Sequence, residues 1–432
     1  MEILSKISNA VWGLPTAALI VSAGLLYTLS GGFPQIRRFK EILFSFRGEA
    51  RQTEHLSPFQ SLSTALAATV GTGSVTGVAA ALSLGGPGAI FWLWVSAFFG
   101  MAVAYAEGSL SIKYRRTVSG KRVGGLWLAL EDGLGAKKTA RVYAAFCVLA
   151  SFGMGSMAQT NSAALALKDG FSIPPAVFGV FAAAVLFLCL FSKIGFAARL
   201  CEASVPLLAG LYVAGAAAVI IFNAKRLPGA LESIFLSAFG LKQAAAGTAG
   251  YAVKTAVSVG FRRGVFSNEA GLGTTAPVHA ASSVESPDAQ GLMNMLEVFI
   301  DTFVICTLTA LAILCSGAYP SGENGAALVI KSAESVFGGA SGKLISLSLA
   351  GFATATAIGW SQIGLSAANY LRPGQNTLYK AAFLLSALGG TVMGLDAVWQ
   401  ISDIFNGLMA IPCLCAVILL FPEVRKSSKP PR

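Results

Sequence analysis

Along the chain, apolar positions do not alternate with polar ones but run together in long blocks. From His55 to Ala106 there are 52 consecutive positions without Lys, Arg, Asp or Glu, and Ile7 to Ile36 is a second such run of 30. Blocks of this length predict transmembrane helices, since about 20 apolar residues span a bilayer. Cutting the sequence at charge clusters, Pro and Gly gives eleven expected spans, near 11–32, 60–84, 88–111, 142–167, 174–196, 203–223, 251–280, 292–318, 342–367, 378–395 and 402–421. The stretch after Met1–Ala10 is long enough to cross and lacks a small-residue cleavage site, so it reads as a retained helix rather than a leader peptide. The expectation is an all-α, polytopic membrane protein of one membrane domain, 1–432.

Two places break the pattern. Val70-Gly71-Thr72-Gly73-Ser74-Val75-Thr76-Gly77 puts three glycines and three hydroxyl residues in the middle of the second span. Each glycine costs a helix about 1 kcal/mol relative to alanine, so the stretch is locally weak. In the seventh span, 261–273 mixes Arg262, Arg263, Asn268 and Glu269 with Gly264, Gly271 and Gly273. Charges at bilayer depth must face protein or water, and unwound backbone is tolerated there only when it is buried or lines a cavity. Both interruptions therefore point inward. Five spans run from each break onward, the first opening in-to-out and the second out-to-in. That is the pattern of two inverted five-helix repeats, 56–223 and 251–421, preceded by an extra helix within 1–36 and followed by a tail, 422–432. The competing reading of the first motif is a small-residue packing surface, which Gly73 and Gly77 fit by spacing.

Charge adds orientation. With the N-terminus outside, 21 basic residues fall on inner segments and seven on outer ones, which favours a cytoplasmic C-terminus and a plasma-membrane location. Segment 112–141 is basic and carries the apolar patch Trp127–Leu130, so it is either a short helix on the cytoplasmic surface or a solvated loop. Composition agrees with the membrane reading: 12% charged, 55% hydrophobic, mean hydropathy +0.69. The net charge of +11 is not gathered into one basic face, which excludes a nucleic-acid binder. Seven cysteines lie in or beside apolar stretches without a CxxC pair, and His55 and His279 have little company, so metal sites, disulfides and catalysis are not expected. No nucleophile, metal triad or aspartate pair suggests an enzyme, and internal pseudo-symmetry argues against an oligomeric channel; the transport unit is expected to be a monomer.

Longer motifs are distinctive. Thr69-Val-Gly-Thr-Gly-Ser-Val-Thr-Gly-Val-Ala, Gly85-Gly-Pro-Gly-Ala-Ile-Phe-Trp, Tyr105-Ala-Glu, Arg263-Gly-Val-Phe-Ser-Asn-Glu-Ala-Gly-Leu-Gly, Ala276-Pro-Val-His-Ala, Phe299-Ile-Asp-Thr and Phe405-Asn-Gly-Leu-Met-Ala-Ile-Pro follow one another in order. With them, almost the whole chain resembles the alanine/glycine:cation symporter family, also called sodium:alanine symporters. That resemblance implies a leucine-transporter-type fold, Na⁺ as coupling ion and a small neutral amino acid such as alanine or glycine as substrate, with the alternative of proton coupling for another small zwitterion. It implies that the N–H groups of Thr72 and Gly73 receive the substrate carboxylate, with Ser74, Gly77, Gln159, Asn268, Gly271 and Trp360 around the substrate. The carbonyls of Ala67 and Val70, with the hydroxyls of Thr354 and Thr356, would hold sodium. Ser74 departs from the family's usual Asn, and Ala355 stands where a second hydroxyl is often found. So does the run Gly359–Leu365, where the family usually has aromatics followed by Gly-Glu.

The remaining polar residues keep two readings each. Gln159 and Asn161 bind substrate or bond helix to helix. Trp360 walls a side-chain pocket or merely packs. Glu269 touches substrate or pairs with Arg262 or Arg263. Glu297 and Asp301, on one helical face, relay protons, pair with Arg263 or act as a gate.

Overall fold

The computed structural model describes residues 2–12, 14–47, 55–192, 194–240 and 249–427. Among these the chain is helical apart from loops and one antiparallel hairpin, Arg116–Val118 with Lys121–Val123. Six helices are long and apolar enough to cross a membrane, and a bent pair, Pro58–Thr69 with Gly73–Gly85, makes a seventh. Shorter apolar helices cover Pro15–Ser30, Pro175–Phe191 and Thr377–Val392. Helix Ala249–Asn268 carries the charged seventh segment.

Burial separates centre from periphery. The apolar window of Gly88–Lys113 is 67% buried, whereas that of Phe196–Phe222 is only 22% buried, so the former lies inside the bundle and the latter faces its surroundings. Helix Pro175–Phe191 likewise exposes Val177, Val180, Phe181, Leu188 and Phe191. A water-soluble protein would not tolerate a contiguous face of this kind, but hydrocarbon does.

The first break has a clear local cause. Ser57 caps helix Pro58–Thr69 in a reciprocal box with Gln60, and Pro58 occupies the first turn. The helix stops where Val70 turns to an extended conformation (ψ 90°), then resumes through a π-helical turn, Gly73–Gly77, with a 48° bend. Gly71 permits a close approach: a Cβ there would sit 2.4 Å from Thr356 Oγ1 and 2.9 Å from Gln159 Oε1.

The second break lies later than the sequence suggested. The helix runs unbroken through Arg262 and Arg263 to Asn268 and unwinds over 269–275 before the short helix Ala276–Ala280. Positive φ at Glu269 (57°), Gly271 (90°) and Gly273 (67°) enforces the unwinding. The start of the first broken element meets the end of the second, where Leu56 N donates to Ala281 O (3.2 Å) and Ser283 N donates to Leu56 O (2.8 Å).

Segment 112–141 also corrects the expectation. After the hairpin, Leu126–Leu130 packs into the core while Asp132 stays exposed, with Trp127, Leu128 and Leu130 buried and Trp127 stacked on Tyr370 at 5.8 Å. Five consecutive apolar residues, Leu126–Leu130, leave no polar face for an interfacial helix to present.

Candidate functional site

The first break is lined by its own backbone and by side chains from two other helices. Gln159 Oε1 accepts hydrogen bonds from Thr72 N (3.2 Å) and Thr72 Oγ1 (2.9 Å), while its Nε2 donates to Met154 O (3.1 Å). Thr356 Oγ1 stands 3.5 Å from Val70 O. Gly73 faces the second broken helix, where an added Cβ would meet Phe266 at 3.3 Å and Ser267 at 3.4 Å; at Gly77 it would meet Trp399 at 3.8 Å. Phe266 and Trp399 pack ring to ring at 4.6 Å, forming an aromatic wall opposite the glycine face.

Between the breaks lies a cluster of oxygens. Asp301, in a π-helical stretch of the eighth segment, accepts from Ser74 Oγ (2.5 Å), Ser267 Oγ (2.7 Å) and Thr302 Oγ1 (3.0 Å), and the Ser267 and Ser74 hydroxyl oxygens stand 3.1 Å apart. Asn268 Nδ2 donates to Thr302 Oγ1 (3.1 Å), and Thr309 Oγ1 donates to Ser74 O (3.0 Å). All of these residues are buried. The expected pairing of Asp301 with Arg263 is not what the structure shows: hydroxyls reach the carboxylate instead. Ser74, one bond shorter in reach than Asn, makes this contact from the π-helical turn Gly73–Gly77.

The second break is held by two carboxylates. Glu107, buried in Gly88–Lys113, accepts from Gly271 N and Gly273 N, both at 3.0 Å, and lies 3.1 Å from Cys413 Sγ. Glu269 accepts from Thr274 Oγ1 and, at 2.9 Å, from Trp360 Nε1. Glu269 therefore does not pair with Arg262 or Arg263, which turn toward Asp403 at 3.6 and 3.5 Å. The reason is directional: the arginines are in regular helix one to two turns before the break, whereas Glu269 is the first unwound residue and points back into the bundle.

Other residues resolve as follows. Asn161 bonds helix to helix, donating to Gly390 O (2.7 Å) and Met393 O (2.8 Å). Thr354 spends its hydroxyl on Ala350 O (2.7 Å) of its own helix and, two residues from Thr356, lies on another face, so the two do not converge on Val70. Ala67 is buried on the facing helix. Glu297 sits 2.9 Å from His279 Nε2, and His279 Nδ1 is 3.0 Å from Ser61 Oγ, so this histidine has partners that spacing did not reveal. All seven cysteines are free, and Cys415 is exposed where the others are buried. At the hairpin, burial alone would raise the Glu285 carboxyl, but the hydrogen bond from Arg122 and the charges of Arg115 and Arg122 hold it below the usual carboxylate range.

A bundle of apolar helices, two of them broken around a shared polar centre, defines a membrane transporter and not an enzyme. The model of the sodium:alanine symporter family matches residues 1–430, and the chain belongs to that family of amino-acid symporters. It is 38% identical over 456 residues to the sodium/alanine symporter AgcS of Methanococcus maripaludis, covering 99% of this chain and 98% of that one. It is 35% identical to the probable sodium/glutamine symporter GlnT of Bacillus subtilis, covering 97% and 88%. Among solved structures it shares the fold of MhsT in complex with L-phenylalanine (TM-score 0.61, 15% identity, covering 87% of this chain and 93% of that one). A manganese transporter of Eremococcus coleocola is similar too (TM-score 0.54, 15% identity, 87% and 79%), so the fold by itself does not select a substrate.

Proposed function

We propose that the protein imports a small neutral amino acid, alanine or glycine, together with Na⁺, by alternating access around the two breaks. The observation that carries this reading is the convergence on the first break: an unwound segment between Thr69 and Gly73 presents backbone N–H at Thr72 and carbonyl at Val70, with Gln159 and Thr356 facing them. In the resting arrangement Gln159 Oε1 occupies the Thr72 N–H, and a substrate carboxylate would take that place and extend to Gly73 N. Val70 O and Thr356 Oγ1, at 3.5 Å, are spaced as two oxygens are when both touch one small cation, and Ala67 O belongs to the same turn. The aromatic pair Phe266–Trp399 closes in on Gly73 and Gly77, which supports a small substrate side chain over a larger one. The relatives named for alanine and glutamine support an amino-acid cargo without choosing between them.

In this reading eleven segments cross, as two inverted five-helix units over 56–223 and 251–421, with the N-terminus outside and the C-terminus cytoplasmic. Uptake of labelled alanine into proteoliposomes, with sodium against choline outside, is the test. Equal uptake in both buffers removes sodium coupling.

A second reading, proton coupling, is favoured by Asp301. A carboxylate at bilayer depth whose neighbours are hydroxyls is satisfied in either protonation state, because a hydroxyl can donate to it or accept from it. Alanine uptake driven by a pH gradient without sodium, and lost in Asp301→Asn, would establish this reading over the first.

A further inference from the structure

The segment that follows helix Pro15–Ser30 is fixed on one side and open on the other. The chain leaves that helix through Gly32 and Phe33, both at positive φ (64° and 61°), and forms two short helices, Pro34–Arg37 and Phe39–Phe44. Gln35 Nε2 donates to Thr28 Oγ1 (2.7 Å) and to Phe98 O (3.1 Å). Ile42 is buried, and the Phe39 ring meets Phe299 edge-on at 5.1 Å. Arg38 grips Asp288 with both terminal nitrogens, each at 2.7 Å, and Tyr105 Oη donates to the same carboxylate. The segment is therefore bonded firmly to the bundle.

Its other side mixes apolar and basic groups. Phe33, Ile36 and Phe44 are 43%, 66% and 50% exposed, and Arg37, Lys40 and Arg47 stand exposed among them. The Arg47 guanidinium lies 4.2 Å from the Phe44 ring, and Arg37 Nη1 folds over Gly32, where an added Cβ would meet it at 2.9 Å. None of the three cations has an ion-pair partner among the described residues, and the acid beside them, Glu41, is held by Arg38 at 2.7 Å. A face turned to hydrocarbon would not carry three cations. A face turned to water would not carry Phe33, Ile36 and Phe44 between them. The mixture suits the boundary of acyl chains and headgroups, where rings and aliphatic groups enter the membrane and long cationic side chains reach up to phosphates. With three cations at that boundary, the complementary surface is negative.

We propose that residues 33–47 form a binding surface for anionic phospholipid of the cytoplasmic leaflet, with acyl chains against Phe33, Ile36 and Phe44 and phosphates at Arg37, Lys40 and Arg47. The leaflet follows from the proposed orientation; the lipid class follows from the surface and is independent of the transported substrate. The surface also bears on the transport core. Arg38 and Tyr105 share Asp288, and Glu107, two residues beyond Tyr105 in the same helix, holds the second break. Lipid on the open side steadies a segment whose other side is bonded to that helix, so binding raises thermal stability.

Full-length protein in detergent, titrated with phosphatidylglycerol or phosphatidylcholine and followed by native mass spectrometry and thermal melting, tests this. Phosphatidylglycerol is expected to bind the wild type about ten-fold or more tighter than phosphatidylcholine, and to raise its melting temperature further. This comparison needs no substitution. Each of Arg37→Gln, Lys40→Gln and Arg47→Gln should weaken phosphatidylglycerol binding about five-fold, the usual worth of one cation beside an anionic surface. Melting in phosphatidylcholine should stay at the wild-type value, since all three side chains are exposed. The triple variant should bind the two lipids alike, whereas exchanging the charges, Arg37→Lys with Lys40→Arg and Arg47→Lys, should keep the preference. Equal binding of both lipids by the wild type would overturn the proposal. A preference that survives in the triple variant would overturn it too, by placing the anionic lipid elsewhere. Inorganic phosphate that stabilises as well as phosphatidylglycerol at matched ionic strength would reduce the surface to a simple anion site.

Discussion

Gln159 Oε1 accepts both the main-chain N–H and the hydroxyl of Thr72, so a neutral amide already fills the position where a substrate carboxylate is proposed to dock. Replacing that amide by a carboxylate puts a fixed competitor against the ligand. Gln159→Glu should raise the alanine concentration for half-maximal uptake about ten-fold or more, since hydrogen bonds to charged groups are worth about 1.5–3 kcal/mol. Gln159→Asn, one methylene short, should have a smaller effect. Uptake in proteoliposomes at matched protein density distinguishes these, and an unaltered half-saturation in Gln159→Glu would place the carboxylate elsewhere.

The glycine face gives a graded test. A Cβ at Gly71 would lie 2.4 Å from Thr356 Oγ1, and one at Gly73 3.3 Å from Phe266 Cδ1. Gly71→Ala should therefore disrupt the first break even with a single methyl, lowering both stability and transport. Gly73→Ala should be tolerated with reduced affinity, and Gly73→Val should abolish alanine binding at the central site. Melting temperature beside alanine binding separates the effects: Gly73→Ala is expected to melt near the wild type with weakened binding, Gly71→Ala well below it.

Thr354 and Thr356 are two residues apart on one helix and face different ways, one bonded within its helix and the other 3.5 Å from Val70 O. Thr356→Ala should raise the sodium concentration for half-maximal uptake several-fold, consistent with losing one ligand contact worth about 1 kcal/mol, while Thr356→Ser should preserve it. Thr354→Ala should leave sodium dependence unchanged. If the two alanine variants behave alike, the ion is not held at Val70 and Thr356.

Much of this was legible in the residues, and the exceptions have physical reasons. Charge-free runs pointed to a helical bundle of several membrane spans and glycine content to the first break, because a helix that must cross hydrocarbon leaves a strong compositional trace and three glycines weaken it locally. The second break appeared too early because Arg262 and Arg263 look intolerable in a span; the structure keeps them helical by turning both toward Asp403, about 140 residues away. Partners so distant in sequence leave no spacing to read. The same holds for Glu107, which stood inside the motif Tyr105-Ala-Glu without an assigned role, and for His279, whose partners Ser61 and Glu297 come from two other helices. The buried turn Leu126–Leu130 was misplaced because an apolar patch in a basic loop reads equally well as a membrane-surface anchor, and only tertiary packing on Tyr370 decides.

Trp360 ties the ninth segment to the second break through its indole N–H on Glu269 Oε1 at 2.9 Å. Trp360→Phe keeps the ring volume and removes that donor, leaving a buried carboxylate oxygen short of a partner, a loss of about 1–3 kcal/mol. The variant should melt at lower temperature and transport more slowly, with little change in sodium dependence, because the oxygens proposed for the ion, Val70 O and Thr356 Oγ1, are not bonded to Trp360. A variant with wild-type melting and rate would mean that Trp360 only fills space.

Glu107 offers the sharpest separation between charge and hydrogen bonding at the second break. One oxygen, Oε1, accepts from both Gly271 N and Gly273 N at 3.0 Å, and those two glycines adopt positive φ to aim their N–H groups at it. An amide oxygen can accept the same two bonds, so Glu107→Gln should hold the unwound backbone in place and retain most transport. Glu107→Leu is close in size but accepts nothing, leaving two main-chain N–H groups buried without partners at bilayer depth, where no water replaces them. That variant should lose folding stability by several kcal/mol or fail to accumulate in the membrane. Thermal melting of the two variants, purified side by side with the wild type, reads the difference directly. If Glu107→Gln were as damaged as Glu107→Leu, the negative charge rather than the hydrogen bonds would be what the second break requires.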